Sequence, residues 1–191
     1  MSATLGTEAL RCVAVLTDTA LVTGTVDGVF RVWREDEGKW AHHDVFGADP
    51  VHGVKKLAFC LDSLDGNRMV SGGSDRLAKV WSPSEGIIRE FAAHKGNVNS
   101  VSVVPGSSGS RFLTGGFDGI AVLWDAVSGD VIGKLEGHPL GVEVLCLDSE
   151  TFVTCSGDKN SGIVRIWKNG VCVKHLPRAH ESLCFVLLCF V

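Results

Sequence analysis

His94, Asp118 and Ser100 carry the residue types of a hydrolytic triad: a base, an orienting carboxylate and a hydroxyl. Their setting argues against that chemistry. No Ser sits in a Gly-x-Ser-x-Gly elbow, the sharp turn that exposes a nucleophile. The stretch GSSGS (106–110) lacks the Lys that follows in a phosphate-binding loop, and reads as a flexible hairpin connection. His42 and His43 are adjacent in WAHHD, so on a strand they face opposite ways and do not share a metal. The seven Cys (12, 60, 146, 155, 172, 184 and 189) form no Cys-x-x-Cys pair. Several lie in apolar strand-like runs and read as reduced core thiols, which suits a cytoplasmic or nuclear location. No catalytic residue, metal site or cofactor is expected.

The elements that must position these residues show themselves as a repeat. Four segments align: LVTGTVDGVFRVW (21–33), MVSGGSDRLAKVW (69–81), FLTGGFDGIAVLW (112–124) and FVTCSGDKNSGIVRIW (152–167). Their last residues, Trp33, Trp81, Trp124 and Trp167, step by 48, 43 and 43. Asp27, Asp75 and Asp118 each precede the Trp by six, and Asp158 precedes Trp167 by nine, a three-residue insertion in the same turn. A weaker signal precedes each later unit. AAHKGNVNSV and EGHPLGVEVL place His94 and His138 30 and 29 residues before the next Trp, and His180 opens a further unit.

Each unit reads as four short strands broken by Gly, Asp, Ser and Pro. In the third they fall near 98–103, 111–114, 120–124 and 130–135. In IAVLW, Ile120, Val122 and Trp124 point one way while Ala121 and Leu123 point the other. Both faces are apolar, so the strand is buried on both sides. A small antiparallel sheet covered twice by copies of itself is a blade in a radial stack.

The period and phrases resemble the WD-repeat family of β-propellers, whose units begin near Gly-His and end near Trp-Asp. The resemblance implies an all-β fold of about four four-stranded antiparallel blades plus one extra strand, an incomplete propeller. The whole chain, 1–191, is then one WD40-repeat region, with repeats near 10–46, 53–93, 94–137 and 138–179 and the start of a fifth at 180–191. It also implies that His, hydroxyl, turn Asp and Trp form a structural network within each blade. That assigns His94, Thr114, Asp118 and Trp124 to one network, and His138, Thr154, Asp158 and Trp167 to the next. The second blade keeps Ser71, Asp75 and Trp81, and the first Thr23, Asp27 and Trp33. Both lack the His, so these two blades are expected to be looser.

In that family partners dock beside the turn Asp and the His. The corresponding positions are Val26, Ser74 and Phe117, with Lys95, Asn97 and Glu181. A Phe in a Gly-rich turn has no evident core role, and aromatic anchors dominate interface energies. The stretch FVTCSGDKNSGIVRIWKNGVCVKHLPRAHESL resembles the late blades of the phospholipase-activating-protein family, ubiquitin-binding cofactors of the proteasome pathway.

The 191 residues are 45% apolar and 21% charged, with formal charge −4, so the composition is globular and mildly acidic. A basic face for nucleic acid is not expected. The opening MSATLGTEALR has no basic run followed by an apolar stretch, and no run reaches the roughly 18 to 20 apolar residues of a membrane span. The leading expectation is a non-catalytic scaffold that binds proteins or peptides, ubiquitin among them. The alternatives are an RNA-associated or other complex-assembly propeller subunit, or a truncated form without independent function. The ring needs further blades from a longer chain or another chain.

Overall fold

The computed structural model describes residues 9–25, 28–46, 58–157 and 162–180, and among them the side chains outside 42–46, 58–59 and 178–180. Val26, Asp27, Asp158 and Glu181 lie outside the described residues.

Among the described residues sixteen strands form four antiparallel sheets, each a simple meander. The first holds β1 (Leu10–Thr17), β2 (Ala20–Thr25), β3 (Phe30–Asp36) and β4 (Lys39–Phe46). The second holds β5 (Ala58–Asp65), β6 (Arg68–Gly73), β7 (Ala78–Ser82) and β8 (Gly86–Phe91). The third holds β9 (Val98–Val103), β10 (Arg111–Gly116), β11 (Ala121–Asp125) and β12 (Val131–Leu135). The fourth holds β13 (Glu143–Cys146), β14 (Thr151–Gly157), β15 (Gly162–Lys168) and β16 (Val171–His180). The connection at 104–110 joins antiparallel β9 and β10, the hairpin expected of GSSGS. Ser107 Oγ donates to the Val104 carbonyl at 2.7 Å, and Ser110 Oγ to the Ser107 carbonyl at 2.6 Å. The serines there replace missing ladder bonds with local ones.

The repeat is a repeat of register. Each Trp pairs with the second residue of its partner strand: Leu21 with Trp33, Met69 with Trp81, Phe112 with Trp124 and Phe152 with Trp167. Because side chains alternate, Trp and its pair face the preceding blade, the leading face, while the next pair along faces the following blade, the trailing face. Val22 with Val32, Val70 with Val80, and Leu113 with Leu123 are the buried trailing pairs.

Three apolar seams result. Val22, Phe30 and Val32 pack on Met69, Trp81 and Leu61; Phe30 and Trp81 rings lie 4.7 Å apart. Val70, Val80 and Phe91 pack on Phe112, Val122 and Trp124, with Phe91 edge-on to Phe112 at 4.9 Å. Leu113, Ala121 and Leu123 pack on Phe152 and Trp167. Each fully buried large side chain contributes about 1.5–3 kcal/mol of transfer free energy, so the seams, not the individual sheets, hold the array together.

Polar pegs set the seams near the innermost strands. Asp62 accepts the Val103 amide at 2.7 Å, and Ser102 Oγ accepts the Cys146 amide at 3.0 Å. These acceptors stand at the same register position, opposite Val70 and Leu113. Ser100 Oγ adds a bond from the Val144 amide at 3.0 Å. Burial raises the Asp62 carboxyl above its ordinary range, against the Val103 and Ser63 amides that favour its charge.

Candidate functional site

Two layers of polar residues sit on each blade: a buried network around the Trp, and a rim of turns above it. The network begins with the Trp indole, an apolar body that must place one N–H. Its donor reaches a strand hydroxyl in every blade. Trp33 to Thr23 is 2.8 Å, Trp81 to Ser71 3.1 Å, Trp124 to Thr114 2.9 Å and Trp167 to Thr154 2.8 Å.

In the third blade the network extends upward. His94 Nε2 lies 2.7 Å from Thr114 Oγ1, and Nδ1 lies 3.1 Å from both Asp118 oxygens. Burial lowers the His94 pKa, outweighing the Asp118 carboxylate that raises it, so the ring is neutral. That fixes the proton on Nδ1, donated to Asp118, with Nε2 accepting the Thr114 O–H. Asp118 also accepts the Lys95 amide at 2.6 Å. Burial opposes its charge, but the Lys95 amide and the His94 ring together hold its carboxyl below the usual range. The triad types noted in the sequence are thus not assembled. His94 faces Thr114, while Ser100 is committed to the next blade through Val144.

The fourth blade places His138 between two hydroxyls: Nε2 is 2.6 Å from Thr154 Oγ1 and Nδ1 is 2.7 Å from Ser156 Oγ. Ser156, buried beside this ring, was not singled out from sequence; a Ser two residues after the network Thr is the signal that marks it. Burial, with Arg165 and His175 nearby, pushes the His138 pKa down to about 4.

The connection that leads into the second blade, 47–57, lies outside the described residues. Lys79 Nζ approaches Asp75 at 3.3 Å and Glu90 at 2.8 Å, with the Lys side chain only 8% exposed. The Leu77 amide donates to Asp75 at 3.2 Å. Lys79 pairs with Ser71 across the strands and stands two residues before Trp81. Sequence reading missed it because a Lys in a strand ordinarily faces water.

On the rim, the turn at 117–119 is clamped from both sides. The Phe117 amide donates to the Asn97 carbonyl at 2.8 Å, and the Val142 amide to the Gly116 carbonyl at 3.0 Å. Gly119 has φ +82°, and a Cβ there would lie 2.5 Å from the His138 carbonyl oxygen, so only glycine fits. Phe117 remains 60% exposed, its ring against Gly141 of the next blade. Exposed Lys95 and half-buried Asn97 stand beside it through these bonds, and exposed Pro139 and Leu140 extend the patch on the next blade's loop. Half-buried Ser74 lies on the second blade's own turn. Among the described residues no three His, Cys, Asp or Glu side chains are grouped to hold a metal ion.

A β-meander repeated around a common edge, with a Trp–hydroxyl bond in each unit, defines a WD-type propeller blade array. Three repeats match the family model described as WD domain, G-beta repeat, at residues 46–82, 86–125 and 129–168, and the chain belongs to that family. It is similar to apoptotic protease-activating factor 1 of Rattus norvegicus, 27% identical over 148 residues, 77% of this chain and 11% of that protein. Small ribosomal subunit protein RACK1y of Oryza sativa subsp. japonica is 35% identical over 100 residues, 52% of this chain and 28% of that protein. The ribosome biogenesis protein WDR12 homolog of Chlamydomonas reinhardtii is 28% identical over 113 residues, 53% of this chain and 25% of that protein. The chain therefore spans between 11% and 28% of these curated relatives. Among solved structures, the WD40 β-propeller domain of Doa1 superposes with TM-score 0.74 at 22% identity, covering 93% of this chain and 57% of that one. U3-55K gives 0.77 at 21%, covering 94% and 54%.

Proposed function

We propose that this chain is a non-catalytic scaffold that binds another protein through the rim of its third and fourth blades, with Phe117 as the anchor. The observation that carries this is an aromatic ring left 60% exposed on a turn whose backbone is held at both ends. A fixed aromatic loses little freedom on binding, which is the property of an interface anchor. Lys95, Asn97 and Leu140 form the surroundings that a partner's side chain would meet. The finer version is a ubiquitin or proteasome-pathway partner, supported by the FVT…RIWKNG…LP resemblance in the fourth repeat.

The test is affinity capture with the natural chain and with Phe117→Ala in parallel. A partner lost from the variant, at unchanged melting temperature, supports the rim. Equal recovery of every partner overturns it. A titration with monomeric ubiquitin, read by NMR shifts at the rim, decides the finer version. A second reading, a subunit of an RNA-containing assembly, draws support from the two ribosome-related relatives. Co-sedimentation with ribosomal particles would favour it.

A further inference from the structure

The aligned turns differ at one backbone position. Gly28, Arg76 and Gly119 follow the turn Asp in the first, second and third segments, and all three have positive φ: +81°, +70° and +82°. Glycine takes that conformation freely, whereas a residue with a Cβ is strained there. Arg76 therefore sits in a strained position where two equivalent turns use glycine. Its amide closes the turn on the Gly73 carbonyl, and its side chain is exposed at the rim. A strained residue on an exposed turn points to a use for its side chain.

A second cation stands nearby. The stretch 94–98 lies between the second and third turns: a Cβ on Gly72 would meet the Val98 side chain, and one on Gly96 would meet the Phe117 and Asp118 backbone. Lys95 is exposed on this stretch, its amide fixed on Asp118. The two acids of the same turns face inward. Asp75 is held by Lys79 with its side chain 13% exposed, and Asp118 by His94 with its side chain 10% exposed. Across 73–76, 94–98 and 116–119 the carboxylates are thus withdrawn and the bases presented, on a chain whose formal charge is −4. Beside them lie the exposed Phe117 ring, Pro139 and Leu140.

We infer that the rim from the second blade to the fourth takes an acidic peptide segment carrying one large apolar side chain. The apolar group rests on Phe117 and Leu140, and carboxylates meet Lys95 and Arg76. This inference rests on the rim reading and narrows its partner. Two cations make a point of positive charge, whereas a nucleic-acid backbone needs a basic groove that tracks it. The aliphatic surface of Pro139 and Leu140 beside the ring suits an apolar side chain.

The test is selection of a random peptide library on the full chain, followed by titration of the enriched peptides. Enriched sequences should combine Asp or Glu with Leu, Ile, Phe or Trp. Lys95→Gln and Arg76→Gly should each weaken them about threefold, the size of one exposed ion pair, and Lys95→Arg should restore the first. Changing the matching peptide Asp to Asn should cost the natural chain the same factor and cost the variant nothing further. Arg76→Gly should also raise the melting temperature, because it relieves the strained φ. An earlier melt would make Arg76 a structural residue of its turn and overturn the inference. Peptides lost with Phe117→Ala but indifferent to Lys95→Gln and Arg76→Gly also overturn it, and leave the rim reading standing. Peptides indifferent to all three variants, or no enrichment, overturn both. A single-stranded oligouridylate bound more tightly than any selected peptide, and released by Lys95→Gln, overturns the inference in favour of nucleic acid.

Discussion

The third and second blades solve one problem with different chemistry. Each must hold a turn Asp close to its strands above a Trp–hydroxyl bond. In the third blade the holder is a neutral imidazole that arrives from the preceding connection, so His94 ties that connection, β10 and the 117–119 turn together. In the second blade the holder is the Lys79 ammonium, which stands four residues beyond Asp75 on β7 and reaches Glu90 on β8. This pair ties the turn to its own sheet. The lower bond, indole to hydroxyl, is common to all four blades, while the upper half varies. The lower bond secures each sheet, and in the third blade the His also ties in the connection that precedes it.

The largest effect should come from removing the shared hydroxyl where it serves two partners. Thr114→Val strands the Trp124 N–H and His94 Nε2 in a buried site, and should cost about 3 kcal/mol. Ser71→Ala removes the acceptor of the Trp81 N–H, and should cost about 1.5 kcal/mol. Urea midpoints of the two variants measure the comparison. Equal losses would mean that the His adds nothing to the third blade. Next comes Lys79→Met, which leaves Asp75 beside an apolar chain and should cost about 2 kcal/mol. A loss near zero would mean that Lys79 is a bystander and that the second blade is held by its seams alone. The expectation that the first two blades are looser is read directly by amide hydrogen exchange in β2 and β6 against β10 and β14.

Much of this was legible in the sequence, and the exceptions have one cause. The alternation in IAVLW specified a strand buried on both faces, and the structure gives Val122 and Trp124 to one seam and Ala121 and Leu123 to the next. The Trp and its hydroxyl lie on one hairpin, so the network that the WD-repeat resemblance implied could be placed on each aligned segment. Lys79 was not legible as a holder, since its burial comes from neighbouring strands and its partner Glu90 from β8. Asp62 was missed for the same reason. Its partner, the Val103 amide, lies on the next blade, and only the shared register with Ser102 reveals the pattern. Local spacing reports bonds within a blade, while bonds between blades require the stack.

A third test uses acid. In both His-bearing blades the fold keeps the imidazole neutral: burial lowers His94 below its ordinary value and takes His138 to about 4. Unfolded, each takes up a proton near pH 6.5. The stability tied to His138 is therefore whole above pH 6.5 and is lost progressively as pH falls from there to about 4. Asp118 acts lower still. Its depressed carboxyl contributes above the ordinary carboxylate range and loses that contribution as pH falls through its folded value. Urea midpoints against pH, repeated with His138→Gln, measure this. The variant should flatten the profile in that window, and an unflattened profile would show that another group titrates.

The smallest effect on stability is expected at the rim, and its smallness is informative. Phe117 has its ring against Gly141, yet most of its surface meets solvent, and the turn beneath it is held by backbone bonds that an Ala would keep. Phe117→Ala should therefore shift stability by less than about 0.5 kcal/mol, the ordinary range for surface changes. An anchor would show a different signature, a partner affinity falling by a factor of ten or more at unchanged melting temperature. If the variant instead melts early, the ring is a cover for the 138–142 connection and belongs with the buried network. Gly141→Ala divides these readings further. It crowds the ring at 3.1 Å and must move it, so an anchor fixed for binding loses affinity with its own side chain intact. A rim that tolerates both changes without losing a partner does not bind through this turn.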